Sequence, residues 1–476
     1  MSSSRREQPP VGEPKRRLGF GLGALVGAGR AAGALSRVLG RGAGSTIPGK
    51  LVVAVAPGAL ASLASRIPGG VLLVSGTNGK TTTTRMIVAA AGRAGLAPAT
   101  NPAGANLLSG LATGLLAGPG WKADLGLLEV DEAVLPLAVP RLRPKALVLT
   151  NLFRDQLDRY GELDTLGEKW REALAAAERI PALAVNADDP LLATVGQAFP
   201  GTLNFGLRDA RHDLGRLPHA SDSQYCRTCR AHLDYRRVYL GHLGEYACTA
   251  CGWRPPALDL WGEEVELMGA RAVALTVRTE EESVRVEVDA PGLYSAYNVL
   301  AAAAGCRLLG IPLAALAGGL ADMRSAFGRG GSMSVRGRHV FPLLAKNPTG
   351  FDEVMRTVLQ EEQRLFLLIC LNDRIADGRD VSWIWDVDFE RLAGRCAGIV
   401  ASGTRALDLA VRLKYAGLQA DIVEVGSDIP AMLERAIDLV PDGGTLFAVV
   451  TYTALHEVRG ALRAGHERSA ALGPRA

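Results

Sequence analysis

The chain is 476 residues long, 48% hydrophobic and 21% charged, with a formal net charge of +4. That length holds two or three domains, and the composition is that of a folded globular chain, which excludes a disordered or collagen-like protein. No uncharged apolar run of about 18 residues occurs, so no transmembrane helix is predicted. The positive charge is local: residues 1–50 hold nine Lys or Arg against Glu7 and Glu13, summing to +7, which leaves −3 for the remainder.

Residues 1–50 therefore read as a basic leader. Within it, "RRLGFGLGALVGAG" (Arg16–Gly29) superficially has the shape of a signal peptide, but it is Gly-rich and lies behind a polar lead. Two readings stay open: contact with anionic lipid, or a solvated tail running into a short helix. From Gly70 onward short apolar runs alternate with helix-length segments. "VLLVSG" is followed by "KTTTTRMIVAAAGRAG", then come "LGLLEVDEA", "KALVLTN" and "ALAVNADDP". This pattern predicts an α/β fold with a parallel, helix-covered sheet. A cysteine-bearing insert at about 206–260 interrupts it, after which "VALTVRTEEESVRVEVDAPG" reads as strands and "YNVLAAAAGCRLLG" as a small-residue helix. The Gly/Arg-rich "FGRGGSMSVRGR" (Phe327–Arg338) breaks the pattern, and alternation restarts through "RLFLLICLND", "AGIVASG" and "TLFAVVTYT". The expected organisation is a leader at 1–50, a central domain at 51–331 and a second α/β domain at 332–476.

Four motifs carry chemistry. The first, "SGTNGKTTTT" (Ser75–Thr84), follows a strand and opens a helix. Gly76, Thr77, Asn78, Gly79, Lys80, Thr81 and Thr82 then form a loop whose N–H groups surround phosphates at a helix N-terminus, with Lys80 on the β/γ-phosphates and Thr81 on magnesium. Val74 stands where the strict phosphate-loop pattern has Gly. The second motif, "LLEVDEA", ends a strand with Glu129, Asp131 and Glu132, oxygen ligands suited to magnesium; a charged strand exit is the plainer alternative. The third, "LTNLFRDQLDRYGELDT", puts Asp155 and Asp158 on one helix face. The fourth, "VNADDP", ends a strand in Asn186, Asp188 and Asp189.

Together these resemble the Mur ligase family of ATP-dependent amide-forming enzymes. The resemblance runs over about residues 70–330 and includes Asn298 in "YSAYNVLAAAA". Gln156 and Tyr160 stand where the family usually has His, and Lys169 lies near where members carry a carbamylated lysine. The resemblance implies that Lys80 and Glu129 act in catalysis, that Thr81 and Glu129 hold magnesium, and that Asn186, Asp189 and Asn298 join the loop in binding ATP.

Of seven cysteines, Cys306, Cys370 and Cys396 sit in apolar runs and read as core. Cys226, Cys229, Cys248 and Cys251 form C-x2-C-x18-C-x2-C, a four-thiolate zinc pattern with no open position, hence a structural zinc in a reducing compartment. His232 and His242 lie between the pairs and read as spectators. The insert's role stays open: packing, substrate contact, or nothing catalytic.

With "AKNPTGFDEV" and "LNDRIADGRDVSWIWDVDFE" in the last domain, the chain is similar to the family of synthetase subunits of lipid II isoglutaminyl synthase. That resemblance implies ATP-dependent amidation of the D-glutamate α-carboxyl of the lipid II stem peptide, through an acyl phosphate, with ammonia from a GatD-type glutaminase subunit. It implies a cytoplasmic enzyme, peripheral at the inner membrane face. It also implies that an Asp of this chain, Asp377 or Asp380, completes the partner's Cys-His pair. Lys346, Asn347 and Thr349 would face the acyl phosphate. The tryptophans Trp383 and Trp385 are either interface anchors or core. No cysteine here sits in a nucleophile turn beside a His, consistent with a separate glutaminase. Two rivals remain: a Mur- or folylpolyglutamate-type ligase adding an amino acid directly, and a nucleic-acid-binding ATPase gripping through Tyr235, Arg236 and Arg237. The slightly acidic body argues against nucleic acid.

Overall fold

The computed structural model describes residues 46–471 except 57, 102–103, 118–122, 155–162, 219–220 and 328–331. Asp155, Gln156, Asp158 and Tyr160, and the leader as far as residue 45, lie outside the described residues. The described residues include the end of the expected leader, where the helix Ile47–Val55 buries Pro48, Gly49 and Val52.

The strands of the first half are β1 (Val71–Ser75), β2 (Pro98–Ala99), β3 (Leu125–Glu129), β4 (Ala146–Leu149), β5 (Ala182–Asn186), β6 (Leu203–Leu207), β7 (Asp234–Leu240), β8 (Leu243–Ala247), β9 (Leu260–Met268), β10 (Ala272–Arg278) and β11 (Ser283–Val288). Nine of them form one sheet in the order β11-β10-β9-β6-β5-β4-β1-β3-β2, and β7 and β8 form a separate hairpin. The strands from β2 to β6 and β9 pair in parallel, whereas β9, β10 and β11 meander antiparallel.

The central strands are apolar throughout because both faces are covered. Alternate residues of β1 point to opposite sides: Leu72 and Val74 pack under the helices Lys80–Arg93 and Leu293–Leu309, while Val71 and Leu73 pack with Leu111, Leu135 and Trp170 on the other face. The helix Leu293–Leu309 is buried continuously from Ser295 to Cys306. Its run of Ala and Gly lets it lie close to its neighbours; a Cβ on Gly305 would come within 2.7 Å of Ile87 Cδ1.

The second half has β12 (Met333–Val335), β13 (Arg338–Leu344), β14 (Leu365–Cys370), β15 (Cys396–Ser402), β16 (Ile422–Gly426) and β17 (Thr445–Val450), ordered β12-β13-β17-β14-β15-β16. All pair in parallel except β12, and the sheet has an apolar cluster on each face.

The cysteine-bearing segment leaves the first sheet after β6 and returns at β9, which pairs directly with β6. It is therefore an excursion between neighbouring strands and leaves the sheet order intact. Among the described residues no helix is long and apolar enough to cross a membrane.

Candidate functional site

β1 lies between β3 and β4, so the chain diverges to both sides of it. In open α/β sheets this divergence leaves a crevice at the strands' carboxyl ends. There the loop Gly76–Gly79 joins β1 to the helix Lys80–Arg93. Gly76 and Gly79 have φ of +136° and +87°, conformations that disfavour a Cβ. Space demands glycine too. A Cβ on Gly79 would fall 2.0 Å from Asn298 Oδ1, and one on Gly76 would fall 2.2 Å from Thr150 Oγ1.

The segment after β4 pins this loop. Thr77 N donates to Asn151 O at 2.9 Å, Asn78 N donates to Asn151 Oδ1 at 2.9 Å, and Thr150 Oγ1 donates to Asn78 O at 2.9 Å. Thr77 Oγ1 accepts from Phe153 N at 3.0 Å and donates to Phe153 O at 3.1 Å. The Thr-Asn dipeptide thus fixes the loop, a role the sequence reading did not assign.

Lys80 Nζ reaches Gly76 O at 2.5 Å, Thr77 O at 3.2 Å and Glu132 Oε2 at 2.7 Å. Burial opposes ionisation of Glu132, but the charges of Lys80 and Lys346 outweigh it and hold the carboxyl below its ordinary range. Glu129 is buried; its Oε2 accepts from Thr81 Oγ1 at 2.5 Å and its Oε1 accepts from Gly104 N at 2.7 Å. A hydroxyl and a carboxylate already in contact, with Asp131 also on the cleft wall, are hard oxygen donors of the kind magnesium takes.

Thr77–Thr82, Asp131 and Glu132 line a cleft of about 640 Å³ between the two sheets, whereas Gly76 and Glu129 are not wall residues and Glu129 meets the wall through Thr81 and Gly104. Lys346, Asn347 and Thr349 close it from the second domain. Asn347 caps the helix Pro348–Val358, accepting from Gly350 N at 2.8 Å, and its Nδ2 lies 3.3 Å from Asn78 Oδ1, a direct tie between the domains. Asn298 also lines the cleft.

Asn186 and Asp189 do not line it, which corrects the expectation that they touch the nucleotide. Asn186 Nδ2 donates to Thr150 O at 3.0 Å. Asp189 caps the helix Pro190–Gln197 and accepts from Leu152 N at 2.8 Å. Both are buried behind the 150–153 segment, so they hold its backbone and not the ligand. Lys169 is exposed on the helix Leu163–Ala175 and is not among the cleft residues. The cleft residues missed by the sequence reading include Leu240 and Leu243 of the insert, Tyr294, Tyr297, Glu353, and Tyr452 and Arg459 of the last helix. Only proximity in space marks them.

The four Sγ atoms of Cys226, Cys229, Cys248 and Cys251 lie within 4.8 Å of one another, with Cys226–Cys251 at 3.7 Å and Cys229–Cys248 at 3.4 Å. A zinc tetrahedron with bonds of about 2.3 Å has edges of about 3.8 Å, so the residues fit the ion. The two knuckles match: Arg230 N donates to Cys226 O and Gly252 N to Cys248 O, both at 2.9 Å, and both donors have positive φ. Beneath them Tyr246 stacks on Trp253, and Trp253 Nε1 donates to Gln197 Oε1 at 2.8 Å.

In the segment after β14 the candidate aspartates separate. Asp377 is buried: its Oδ1 accepts from Thr453 N at 2.8 Å and its Oδ2 from Thr453 Oγ1 at 2.5 Å, tying the loop to the helix Tyr452–Ala471. Asp380 is exposed and accepts from Ser382 N at 2.8 Å; hydrogen bonds from Ser382 hold its carboxyl below the ordinary range. The tryptophans separate likewise. Trp383 packs on Phe351 with ring centroids 5.5 Å apart, whereas Trp385 is half exposed beside Tyr415. Leu407, Val411 and Tyr415 make an exposed apolar stripe on the helix Ala406–Tyr415.

Family models described as Mur ligase middle domain and MurT ligase C-terminal match residues 74–306 and 344–455. The chain is 32% identical over 425 residues to the lipid II isoglutaminyl synthase (glutamine-hydrolyzing) subunit MurT of Streptococcus pneumoniae, covering 88% of this chain and 92% of that one. It is 30% identical to the protein of the same name from Staphylococcus aureus, covering 88% and 93%. A pseudomurein peptide ligase type C from Methanothermus fervidus shares the fold, with a TM-score of 0.62 at 19% identity over 83% of this chain and 78% of that one. The chain belongs to the Mur ligase family, in its group of MurT subunits of lipid II isoglutaminyl synthase.

Proposed function

We propose that this chain is the synthetase half of a glutamine-dependent amidotransferase acting on the D-glutamate α-carboxyl of the lipid II stem peptide. The observation that carries the reading is the single cleft in which Thr77–Thr82 of the phosphate loop, Asp131 and Glu132 meet Lys346 of the second domain, with Glu129 bonded to Thr81 of its wall. Loop N–H groups and Lys80 suit the triphosphate of ATP. Thr81 and Glu129 suit magnesium, which when bound neutralises charge on the phosphates. In the reaction the substrate carboxylate attacks the γ-phosphorus and ADP leaves, giving an acyl phosphate. Ammonia then attacks the carbonyl carbon, loses a proton, and phosphate departs with the C–O bonding pair, leaving the amide. Lys80 and Lys346 offset the negative charge gathered in both steps.

The ammonia would come from a GatD-type glutaminase. The exposed stripe of Leu407, Val411 and Tyr415 beside Trp385 supports a protein partner on this domain, since aromatic residues anchor interfaces. Of the two candidate aspartates Asp380 is the accessible one and the better candidate to orient the partner's His, because Asp377 spends both oxygens on Thr453. The basic leader would favour an anionic membrane face, where a lipid-linked substrate resides.

The test is reaction of this chain with ATP, magnesium, glutamine and lipid II, with and without the glutaminase, read by mass spectrometry of the stem peptide. Conversion of a carboxyl to a carboxamide only when both chains are present supports the reading. ATP turnover driven by a free amino acid, with a peptide bond formed and no carboxamide, overturns it in favour of direct ligation.

A further inference from the structure

The cysteine insert does more than pack against the surface. Its hairpin, β7 and β8, runs from the four thiols into the cleft, where Leu240 and Leu243 at the tip are buried wall residues. The tip touches both domains. Gly241 has φ +57°, and a Cβ there would come within 2.8 Å of Phe153 Cε1 and 2.9 Å of Thr349 Cγ2. Phe153 is the residue bonded reciprocally to Thr77 of the phosphate loop. His242 is fully buried on the Phe153 ring, with centroids 4.6 Å apart and Nε2 3.4 Å from Asp189. From the other domain Arg356 donates to Tyr239 O at 2.8 Å and to His212 O at 3.2 Å.

The same part of the wall holds an acceptor the protein leaves unused. Glu353 is buried, and its Oε2 has no hydrogen-bond partner among the described residues, while Oε1 faces Arg356 at 3.5 Å. A buried unsatisfied carboxylate oxygen in a ligand cleft points to a donor on the ligand.

We infer that the four-cysteine insert is a working part of the nucleotide site: Leu240 and Leu243 form the apolar wall for the base-and-ribose end of the nucleotide, and the cysteine centre sets where that wall stands. The inference rests on the proposal that the cleft binds ATP. Leucine side chains offer nothing to phosphates, which belong at Gly76–Thr82, but they match the face of a purine. Leu240 and Leu243 are thus specificity residues, and the thiols are positioning residues acting through them.

The experiment is calorimetric titration of the complex with its glutaminase, using ATP and, separately, inorganic tripolyphosphate, with zinc content measured on each sample. Wild type is expected to bind both. L243A is expected to bind ATP about 10-fold more weakly, the equivalent of losing a few buried methylene contacts, with tripolyphosphate binding and zinc content unchanged; L243M should recover ATP binding. C251S, which opens the centre at its exposed edge, should shift ATP in the same direction while sparing tripolyphosphate. A folded, zinc-replete L243A that binds ATP like wild type overturns the inference, as does an equal loss toward tripolyphosphate. If L243A does not fold, L243V replaces it and must shift ATP the same way, or the inference fails. Absence of ATP binding by wild type would instead sink the nucleotide reading beneath it.

Discussion

The phosphate loop and the aspartate-rich loop at 372–386 both follow a parallel strand, yet they differ in how their residues act. In the first, neighbouring residues share one job. Backbone N–H groups, Lys80 and Thr81 face one cleft because Gly76 and Gly79 impose the turn and Thr150, Asn151 and Phe153 hold it. In the second, neighbours of the same chemical type face opposite ways. Asp377 is spent inside the fold on Thr453, while Asp380, three residues later, stands in solvent. A motif whose function lies in the backbone turn is local; one whose function lies in which side chain is exposed is not.

The largest effect expected from this contrast falls on Asp380. D380N in the assembled complex should cut glutamine-dependent amidation by about 10⁴-fold, the size of effect seen when a triad His loses its orienting carboxylate. Amidation driven by added ammonium salts should continue. If D377N instead abolishes glutamine use in a protein that melts like wild type, the assignment of the two aspartates is reversed. Next in size, K80M should slow ATP turnover by about 10²–10³-fold with either nitrogen source, since a preorganised charge at the transferring phosphoryl group is lost. Retained turnover would mean that Lys346 carries the charge by itself. Smaller is the structural cost of D377N, about 1–3 kcal/mol, from a buried hydrogen-bonded carboxylate losing its match to Thr453; a denaturant titration reads it, and an unchanged midpoint would show that the loop is held elsewhere.

The smallest effect concerns pH. Burial pushes the carboxyl of Asp352 up to about 7 from an ordinary 3.8, against the opposing hydrogen bond from Asp388 N that ties it to the aspartate-rich segment. Burial does the same to Asp188 beneath the insert. Each folded value lies above the unfolded one, so the folded chain holds these protons more tightly. Their contribution to stability is complete below about 3.8 and is lost as pH rises toward 7. D352N should flatten part of the decline in denaturant midpoint between those limits. An unaltered slope would show that Asp352 is ionised in the fold.

Much of the site was legible before the fold was known. Lys80, Thr81 and Glu129 come together as the strand-end motifs imply, because a loop between a strand and a helix can aim its groups only at the strand's carboxyl end, and Asn298 lies beside Gly79 as the family resemblance implies. Asn186 and Asp189 were misassigned for an equally definite reason. Their side chains point at the 150–153 backbone, and a strand-end motif looks the same whether it faces a ligand or a neighbouring loop. Leu240, Leu243 and Glu353 gave no signal, since an apolar residue in a hairpin or an acid on a helix is ordinary until its neighbours are known.

By itself the amino-acid sequence determined the parallel cores of the two sheets, the phosphate loop and the four-thiol centre. Each depends on alternation or spacing over a few tens of residues, where backbone hydrogen bonding and bond geometry leave little choice. Only the tertiary structure decided that the insert's hairpin tip enters the cleft, that Arg356 and Asn347 tie the second domain to the first, and which aspartate faces outward. Those outcomes depend on burial between segments 76 to 269 residues apart, and burial belongs to the packed molecule, not to any stretch of its chain.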